Sequence, residues 1–212
     1  MRIPLTGTRQ RLRHLTRIPL LVALAIACVA GEAAAQLHAV PITDPGAVYE
    51  LEGYSVSPPA GTNWFEMWRD PQQALFGKKI ASRTHSLVAT ATSVAIKEKF
   101  EKFTQFQDYV DKVRIAAVDP ARYKIIEYHS EFDGSFPAWC VRYRSRNEDR
   151  GAPHAQGKAL VLEHIGVACL HPTLPGLLID VGYSERGSPA EISADLRAEG
   201  EGFMRSLKFT PR

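Results

Sequence analysis

The sequence lacks the short motifs that mark the common kinds of active site. It contains no G-x-S-x-G turn for a nucleophilic serine, no H-E-x-x-H pair for zinc, no G-x-G-x-x-G loop for a dinucleotide and no phosphate-binding loop. Its three cysteines include no C-x-x-C pair, which is the usual spacing of zinc and dithiol sites. The sequence therefore identifies no catalytic residue, and it predicts neither a cofactor nor a metal site.

The sequence also has little clustered positive charge beyond its first 35 residues. The chain carries 26 Lys and Arg against 23 Asp and Glu, but five of the arginines and a single acid, Glu32, belong to that first stretch. A nucleic-acid-binding surface needs clustered basic side chains, so a nucleic-acid partner is not expected. The densest basic stretch that remains, Arg142, Arg144 and Arg146, has the alternate spacing of a solvated strand face.

No apolar run is long enough to cross a membrane. The longest, Ile18–Ala30, has about 13 residues and would span about 20 Å as a helix, against a hydrocarbon core of about 30 Å. It follows the five arginines and precedes the small residues Ala33–Ala35, which is the pattern of a secretory signal peptide. We therefore predict a signal peptide over residues 1–35, cleavage between Ala35 and Gln36, and a protein that is periplasmic or secreted.

A second processing route stays open at Cys28. The segment Ala25–Cys28 resembles the lipobox of bacterial lipoproteins, in which the cysteine is lipidated and becomes the first residue of the mature protein. Against this route, the usual leucine three residues before the cysteine is absent, and the apolar run continues to Ala30. Only this alternative would anchor the protein in the envelope through a lipid.

After removal of the signal peptide two cysteines, Cys140 and Cys169, would remain. An exported protein meets an oxidising compartment, where such a pair favours a disulfide over a metal pair or a reactive thiol. The predicted hairpin loop, Asn147–Gly157, makes this pairing difficult, because a turn centred near residue 152 would set Cys140 opposite a residue near 164. A bridge would then need an asymmetric loop or a shifted register.

Short stretches rich in β-branched and aromatic residues, separated by turns that contain Pro or Gly, predict two groups of strands. After an irregular lead-in over residues 36–50, four strands are expected at 53–57, 64–68, 74–80 and 85–96. Four more are expected at 123–132, 138–145, 159–170 and 177–184. The short connections favour antiparallel neighbours.

Two segments, residues 97–115 and 188–207, change to a helical period. Their apolar faces comprise Phe100, Phe103, Phe106, Val110 and Val113 in the first, and Ile192, Leu196, Phe203 and Leu207 in the second. Gly200 and Gly202 weaken the second helix, because each glycine in a helix interior costs about 1 kcal/mol of helix stability relative to alanine. The predicted fold is therefore α+β: a single domain, residues 51–212, in which an antiparallel sheet of about six to seven strands carries two amphipathic helices.

Aromatic and charged side chains at two turns are the candidate binding residues. Trp64 and Trp68 follow a turn rich in Pro and Gly and could line a pocket for an apolar or sugar group, although tryptophan is more often part of the core. Glu185 and Arg186 lie at the end of a strand. They could hold a polar ligand, or form a charged pair in solvent beside a turn at Gly187.

Two short segments resemble a known group of envelope proteins. Residues 54–61 (YSVSPPAG) with Trp64, and residues 203–209 (FMRSLKF), are similar to the opening turn and the final helix of the PsbP-like extrinsic photosystem proteins and the DcrB-like bacterial envelope proteins. Two extra residues, Thr62 and Asn63, precede the tryptophan here. The resemblance implies an antiparallel sheet flanked by helices and a non-enzymatic accessory or binding role, and it carries over no functional residue.

Export, near-neutral charge and the missing catalytic motifs favour a periplasmic accessory domain that binds a small ligand or an envelope protein without catalysis. The competing hypothesis is an exported hydrolase whose serine and histidine meet only in space. Neighbours such as His85 and Ser86 point to opposite faces of a strand and cannot form a nucleophile–base contact. A concave pocket of titratable groups would favour the enzyme, whereas an exposed apolar patch would favour binding or assembly.

Overall fold

The structure is a computed structural model that describes residues 39–44, 46–152 and 154–211. The predicted signal peptide, its cleavage position between Ala35 and Gln36, and Cys28 all lie outside the described residues. Within the described part of the chain, no helix is long and apolar enough to cross a membrane.

Strands and helices alternate in blocks along the chain. The first block comprises β1 (Val40–Pro41), β2 (Tyr49–Leu51), β3 (Tyr54–Val56), β4 (Trp64–Arg69), β5 (Gln73–Lys78) and β6 (Ser86–Ala95). After helix α1 (Phe103–Ala116) come β7 (Tyr123–Phe132), β8 (Cys140–Asp149), β9 (Leu160–Leu170) and β10 (Leu177–Gly187), followed by helix α2 (Ala194–Arg205) and β11 (Lys208–Phe209). The stretch predicted to be irregular, residues 36–50, thus contains β1 and the start of β2.

Eight of the strands form one antiparallel sheet in the order β1-β4-β5-β6-β10-β9-β8-β7. Two runs of strands, β4-β5-β6 and β7-β8-β9-β10, are neighbours both in sequence and in space. Helix α1 carries the chain from β6 to the far edge of the sheet, and β10 then returns to pair with β6. The α+β class and the antiparallel sheet are confirmed, and the sheet has eight strands rather than the predicted six to seven.

One face of the large sheet is covered by α2 and by a small sheet in the order β11-β3-β2. Alternation along β5 and β6 points Phe76 and Leu87 into this core. The Phe76 ring meets the rings of Tyr49 and Phe203 edge to face, with centroids 5.2 and 5.6 Å apart. This layer forms the larger of the two cores.

The other face of the large sheet is covered by α1. Phe106 and Val110 of the helix are buried against Val141 and neighbouring side chains of the sheet. Phe100 precedes the helix and still packs on this core. Val113, in contrast, is 44% exposed, so the buried face of α1 is narrower than the predicted one.

Both helices begin later than predicted, and each start has a local cause. At α1, the side-chain oxygen of Gln105 accepts the backbone N–H of Lys102 over 3.2 Å, which ends the extended chain just before Phe103. At α2, the Ser193 hydroxyl accepts the backbone N–H of Asp195 over 3.2 Å. Such caps satisfy backbone donors that have no partner within the helix.

The Cys140–Cys169 disulfide is present and joins the neighbouring strands β8 and β9. The N–H of Leu170 donates to the carbonyl of Trp139, so these two residues form a hydrogen-bonded pair. Cys140 and Cys169 are the next facing pair, which is of the kind without backbone hydrogen bonds between its two residues. Facing residues approach most closely in such pairs, and these two Cα atoms are 4.1 Å apart. The predicted partner of Cys140, a residue near 164, is wrong.

The register differs from the prediction because β8 continues further along the chain than expected. β8 continues to Asp149 and β9 begins at Leu160, which moves the turn toward the C-terminus of the predicted loop, Asn147–Gly157. Asp149 can remain in the strand here because its carboxylate has hydrogen-bond donors. The buried carboxylate of Asp149 accepts two hydrogen bonds, of 2.9 and 2.8 Å, from the guanidinium of Arg122.

Candidate ligand-binding cavity

A cavity of about 310 Å³ opens between the C-terminal part of α1, the edge strand β7 and the sheet face that α1 covers. Phe106 and Val110 fill the space beneath the first half of the helix. The last turns contribute Arg114 and Ala117 to the cavity wall instead. These side chains leave room above the sheet, so the helix covers the cavity without filling it.

Two glycines in the sheet allow a tyrosine side chain to lie close to the floor of the cavity. Gly166 of β9 and Gly182 of β10 face each other in the sheet. Tyr143 of β8 lies over Gly166, where an added Cβ atom would come within 2.2 Å of the Tyr143 hydroxyl. This approach brings the hydroxyl to Asp180 of β10, to which it donates over 2.9 Å. Glycine inside a strand often marks such a contact.

Asp180 also binds Arg114, which reaches down from α1 to the second carboxylate oxygen. The guanidinium lies over the ring of Tyr143, 4.4 Å from its centroid, in cation–π geometry. Burial raises the pKa of Tyr143 to about 12, an effect that the charge of Arg114 partly opposes. The phenol therefore stays protonated and donates to Asp180, while the charges of Asp180 and Arg114 balance each other.

His164 of β9 lies beside this group and lines the cavity. Its ring meets the ring of Tyr143 edge to face, with centroids 5.3 Å apart. Burial, together with the nearby charge of Arg114, lowers the pKa of His164 to about 4, so the imidazole is neutral at pH 7. The register places Ser145 of β8 and Ser184 of β10 on either side of it.

Several polar groups that face the cavity have no protein partner among the described residues. Within the described part of the chain, the side chains of Thr90, His164 and Ser184 form no hydrogen bond to protein. The amide nitrogen of Asn147 donates to the Ser145 hydroxyl over 3.1 Å, whereas its buried amide oxygen has no partner among the described residues. Buried polar groups are normally paired, so the Asn147 amide oxygen is a position at which a ligand or water is expected to bind, and the half-buried side chains of Thr90, His164 and Ser184 offer further partners.

Aromatic and aliphatic side chains form the walls of the cavity. Tyr123, Ile125 and Tyr128 extend from β7, and Leu162 extends from β9. The hydroxyl of Tyr128 donates to Asp111 of α1 over 2.8 Å, which ties the edge strand to the helix. Apolar walls with a few polar groups are typical of small-molecule sites, and the volume lies near the lower end of their range, about 300–1,000 Å³.

The two tryptophans predicted as candidate binding residues lie apart. Trp64 is buried in the larger core, and its indole N–H donates to Glu199 over 2.7 Å. An irregularity between Glu66 and Trp68 shifts the register of β4, so that Trp68 lies on the opposite face of the sheet. It is 53% exposed, and its indole N–H donates to Asp70 over 3.0 Å. The two rings therefore do not form one pocket.

Glu185 and Arg186 lie on opposite faces of β10 and have separate partners. The buried carboxylate of Glu185 accepts the backbone N–H of Ser193 over 3.1 Å, at the start of α2, and lies 2.8 Å from the ring of His85. Arg186 lies 3.7 Å from the buried carboxylate of Asp149. The structure does not bring this pair together around one ligand.

The alternating arginines of β8 differ from the predicted solvated face, because two of them form ion pairs on the side of α2. Arg142 binds Glu201 of α2. Arg144 lies 3.3 Å from the buried Glu163, which also binds Arg197 of α2 at 2.9 Å. These pairs join the helix to the sheet.

The cavity residues Tyr143 and His164, and Asp180, which accepts the hydrogen bond from Tyr143, were not identified from the sequence. They come from three strands, and their meeting depends on the registers between those strands, which local patterns do not specify. One usable signal was Gly166, a glycine inside a mainly apolar strand. Among the described residues, no group of three or more His, Cys, Asp or Glu side chains is placed to hold a metal ion.

No protein-family model and no curated protein matches this chain. Among solved structures, it is similar to the crystal structure of LpqN, a protein involved in cell envelope biogenesis of Mycobacterium tuberculosis. The two share 11% sequence identity and a TM-score of 0.46, over 82% of this chain and 91% of that chain. The resemblance to PsbP-like and DcrB-like proteins stays a prediction.

Proposed function

We propose that this chain is an exported, non-catalytic domain of the cell envelope that binds a small ligand in the cavity beneath α1. The signal-peptide pattern of residues 1–35 supports export. The Cys140–Cys169 disulfide supports it too, because such bonds persist in oxidising compartments. An envelope protein is the other partner that the sequence favours.

The cavity is the observation that carries the binding function. Protein interiors are close-packed, and a protein that needed α1 only for stability would fill the space beneath it. Here a cavity is left beneath α1, and polar groups of Thr90, His164 and Ser184 face it with no partner among the described residues. A bound molecule would both occupy this volume and satisfy these groups.

Filling the opening of the cavity tests this proposal. The probe is N-phenyl-1-naphthylamine, a neutral fluorescent molecule with an apolar body and one N–H group. Ala117 lines the cavity at the end of α1, so Ala117→Trp should weaken probe binding by about tenfold or more. Ala116→Trp, at the neighbouring exposed position, should bind the probe as the unaltered protein does. Equal binding by the two variants would contradict the proposal.

A second candidate function, hydrolysis, is favoured by the position of the neutral His164 between Ser145 and Ser184. Within the described residues, however, neither serine hydroxyl is hydrogen-bonded to the imidazole, and Ser145 accepts from Asn147 instead. A nucleophile and its base need that contact, together with a group that orients the base. For a binding domain, 4-nitrophenyl butyrate should hydrolyse only at its rate in buffer. Hydrolysis that Ser184→Ala abolishes would replace the binding proposal.

The mass of the exported protein tests its processing. Cleavage of the signal peptide should give a mature chain that begins at Gln36 and carries no lipid. Intact-mass spectrometry of protein from the envelope fraction measures this directly. A chain that begins at Cys28 with a diacylglyceryl group would establish the lipoprotein route instead.

A further inference from the structure

We propose that the cavity is selective for neutral ligands with a flat apolar body and a hydroxyl or amide group at one end. This inference rests on the proposed binding function and specifies its ligand class. The polar end would lie on the floor of the cavity, at Thr90, His164 and Ser184. The apolar body would lie between the tyrosine rings of the walls.

Charge is the first argument for a neutral ligand. Among the described residues that line the cavity, Arg114 is the one side chain that carries a charge at pH 7, and Asp180 balances it. The His164 imidazole is neutral, and the buried Tyr143 hydroxyl stays protonated. An ionised ligand would lose hydration on entry without gaining an opposite charge, which is unfavourable.

The arrangement of the floor is the argument for a single polar end. Ser184 faces His164 across β10 and β9, and Thr90 faces Gly182, which lies two residues before Ser184 on the same side of the sheet. Neighbours on one face of a sheet lie roughly 5–8 Å apart. Hydroxyls both donate and accept, and a neutral imidazole offers one N–H and one acceptor nitrogen. One hydroxyl or amide group can therefore bind to several of these partners at once.

The walls are the argument for a flat body. Tyr123 and Tyr128 contribute two aromatic rings, and Ile125 and Leu162 add aliphatic surface. Aromatic rings pack well against other planar groups, in stacked or edge-to-face arrangements. A rigid planar ligand also loses less conformational freedom on binding than a flexible chain of the same size.

Three probes that share one ring system test separately the need for a polar group and the need for neutral charge. Naphthalene has no polar group, 1-naphthol adds a hydroxyl, and 1-naphthoate adds a negative charge. Fluorescence titration of the full-length mature protein should show 1-naphthol binding about tenfold more tightly than either of the other two. Tightest binding of 1-naphthoate would overturn the proposed selectivity and leave the binding function standing.

Substitutions on the cavity floor test whether Ser184 and His164 cause the preference for a hydroxyl group. Ser184→Ala and His164→Phe should each lower the affinity ratio of 1-naphthol to naphthalene severalfold, while naphthalene itself still binds. His129→Phe, on β7 at a side chain that is 66% exposed, should leave the ratio unchanged. An unchanged ratio in both floor variants would overturn the proposed selectivity. Failure of all three probes to bind the unaltered protein would contradict the binding function itself, and the selectivity with it.

Discussion

The His164 imidazole is neutral because the fold buries it and sets it near Arg114. In the unfolded chain its pKa would return to about 6.5, whereas in the folded protein it is about 4. Between these values the unfolded chain binds a proton that the folded protein does not. The free energy of unfolding therefore falls as the pH drops through this window.

We expect His164→Gln to remove this part of the pH dependence. Between pH 7 and pH 4.5, the unaltered protein should lose about 2–3 kcal/mol more unfolding free energy than the variant. Urea unfolding at the two pH values measures the difference. The hydrogen bond from Arg122 lowers the pKa of Asp149, so the contribution of Asp149 to the free energy of unfolding also falls on acidification. This loss is the same in both proteins. Equal losses would mean that His164 titrates near its ordinary pKa.

Single residues differ in how far the sequence predicts their roles. Cys140 and Cys169 could be paired because two cysteines in an exported chain allow only one intramolecular bridge. His164 could not be placed in a site, because an isolated histidine in a strand has the same local pattern whether it faces solvent or a cavity. Its neighbours Ser145 and Tyr143 come from another strand, and the pairing register alone brings them close.

Helix α2 contains two glycines with similar helix propensity but different surroundings. A Cβ atom at Gly200 would come within 2.4 Å of the Tyr183 ring, whereas nothing lies within 4 Å of one at Gly202. Gly200→Ala should lower the free energy of unfolding by about 1–3 kcal/mol through overpacking. Gly202→Ala should raise it by about 0.5–1 kcal/mol. Thermal or urea unfolding compares the pair, and stabilisation by both would show that α2 is not packed on Tyr183.

Phe106 of helix α1 is fully buried against the sheet. Phe103, the centre of the predicted apolar face, is only partly buried and packs at the helix start against Phe132 and Trp139, with ring centroids 4.9 and 6.3 Å away. Phe106→Ala should cost about 3–5 kcal/mol of unfolding free energy, and Phe103→Ala about 1–3 kcal/mol. Urea unfolding measures both. A larger loss for Phe103→Ala would mean that the aromatic contacts at the helix start hold α1 more strongly than its buried centre.

Long strands with regular alternation were predicted well, whereas two-residue strands were missed. Alternation over about ten residues placed β6, β7 and β9 to within a residue at each end. β1 and β11 have two residues each, too few to show any period. The end of β8 was missed because Asn147 and Asp149 have the composition of a loop, and the partner that keeps Asp149 in the strand, Arg122, lies on a separate segment.

The Cys140–Cys169 bond closes a loop that contains the whole β8–β9 hairpin, with a sequence separation of 29 residues. Constraining the unfolded chain in this way should stabilise the molecule by roughly 3.6 kcal/mol in the chain-entropy model. Reduction should lower the free energy of unfolding by about that amount. Mature protein that is denatured without reductant should react with no thiol reagent. Two reactive thiols per chain would show that the bridge does not form in the envelope.

The order of strands in the large sheet has a consequence for how the chain reaches its final state. β10 pairs with β9 on one side and with β6 on the other, so the last long strand is the one that joins the two halves of the sheet. A chain exported as proposed, from its N-terminus, delivers β4, β5 and β6 first. Until β10 arrives, Ser86–Ala95 keeps an open edge whose backbone groups can pair with another molecule. Newly translocated protein therefore passes through an interval in which aggregation competes with closure of the sheet, and a chaperone that shields strand edges would act most strongly in that interval.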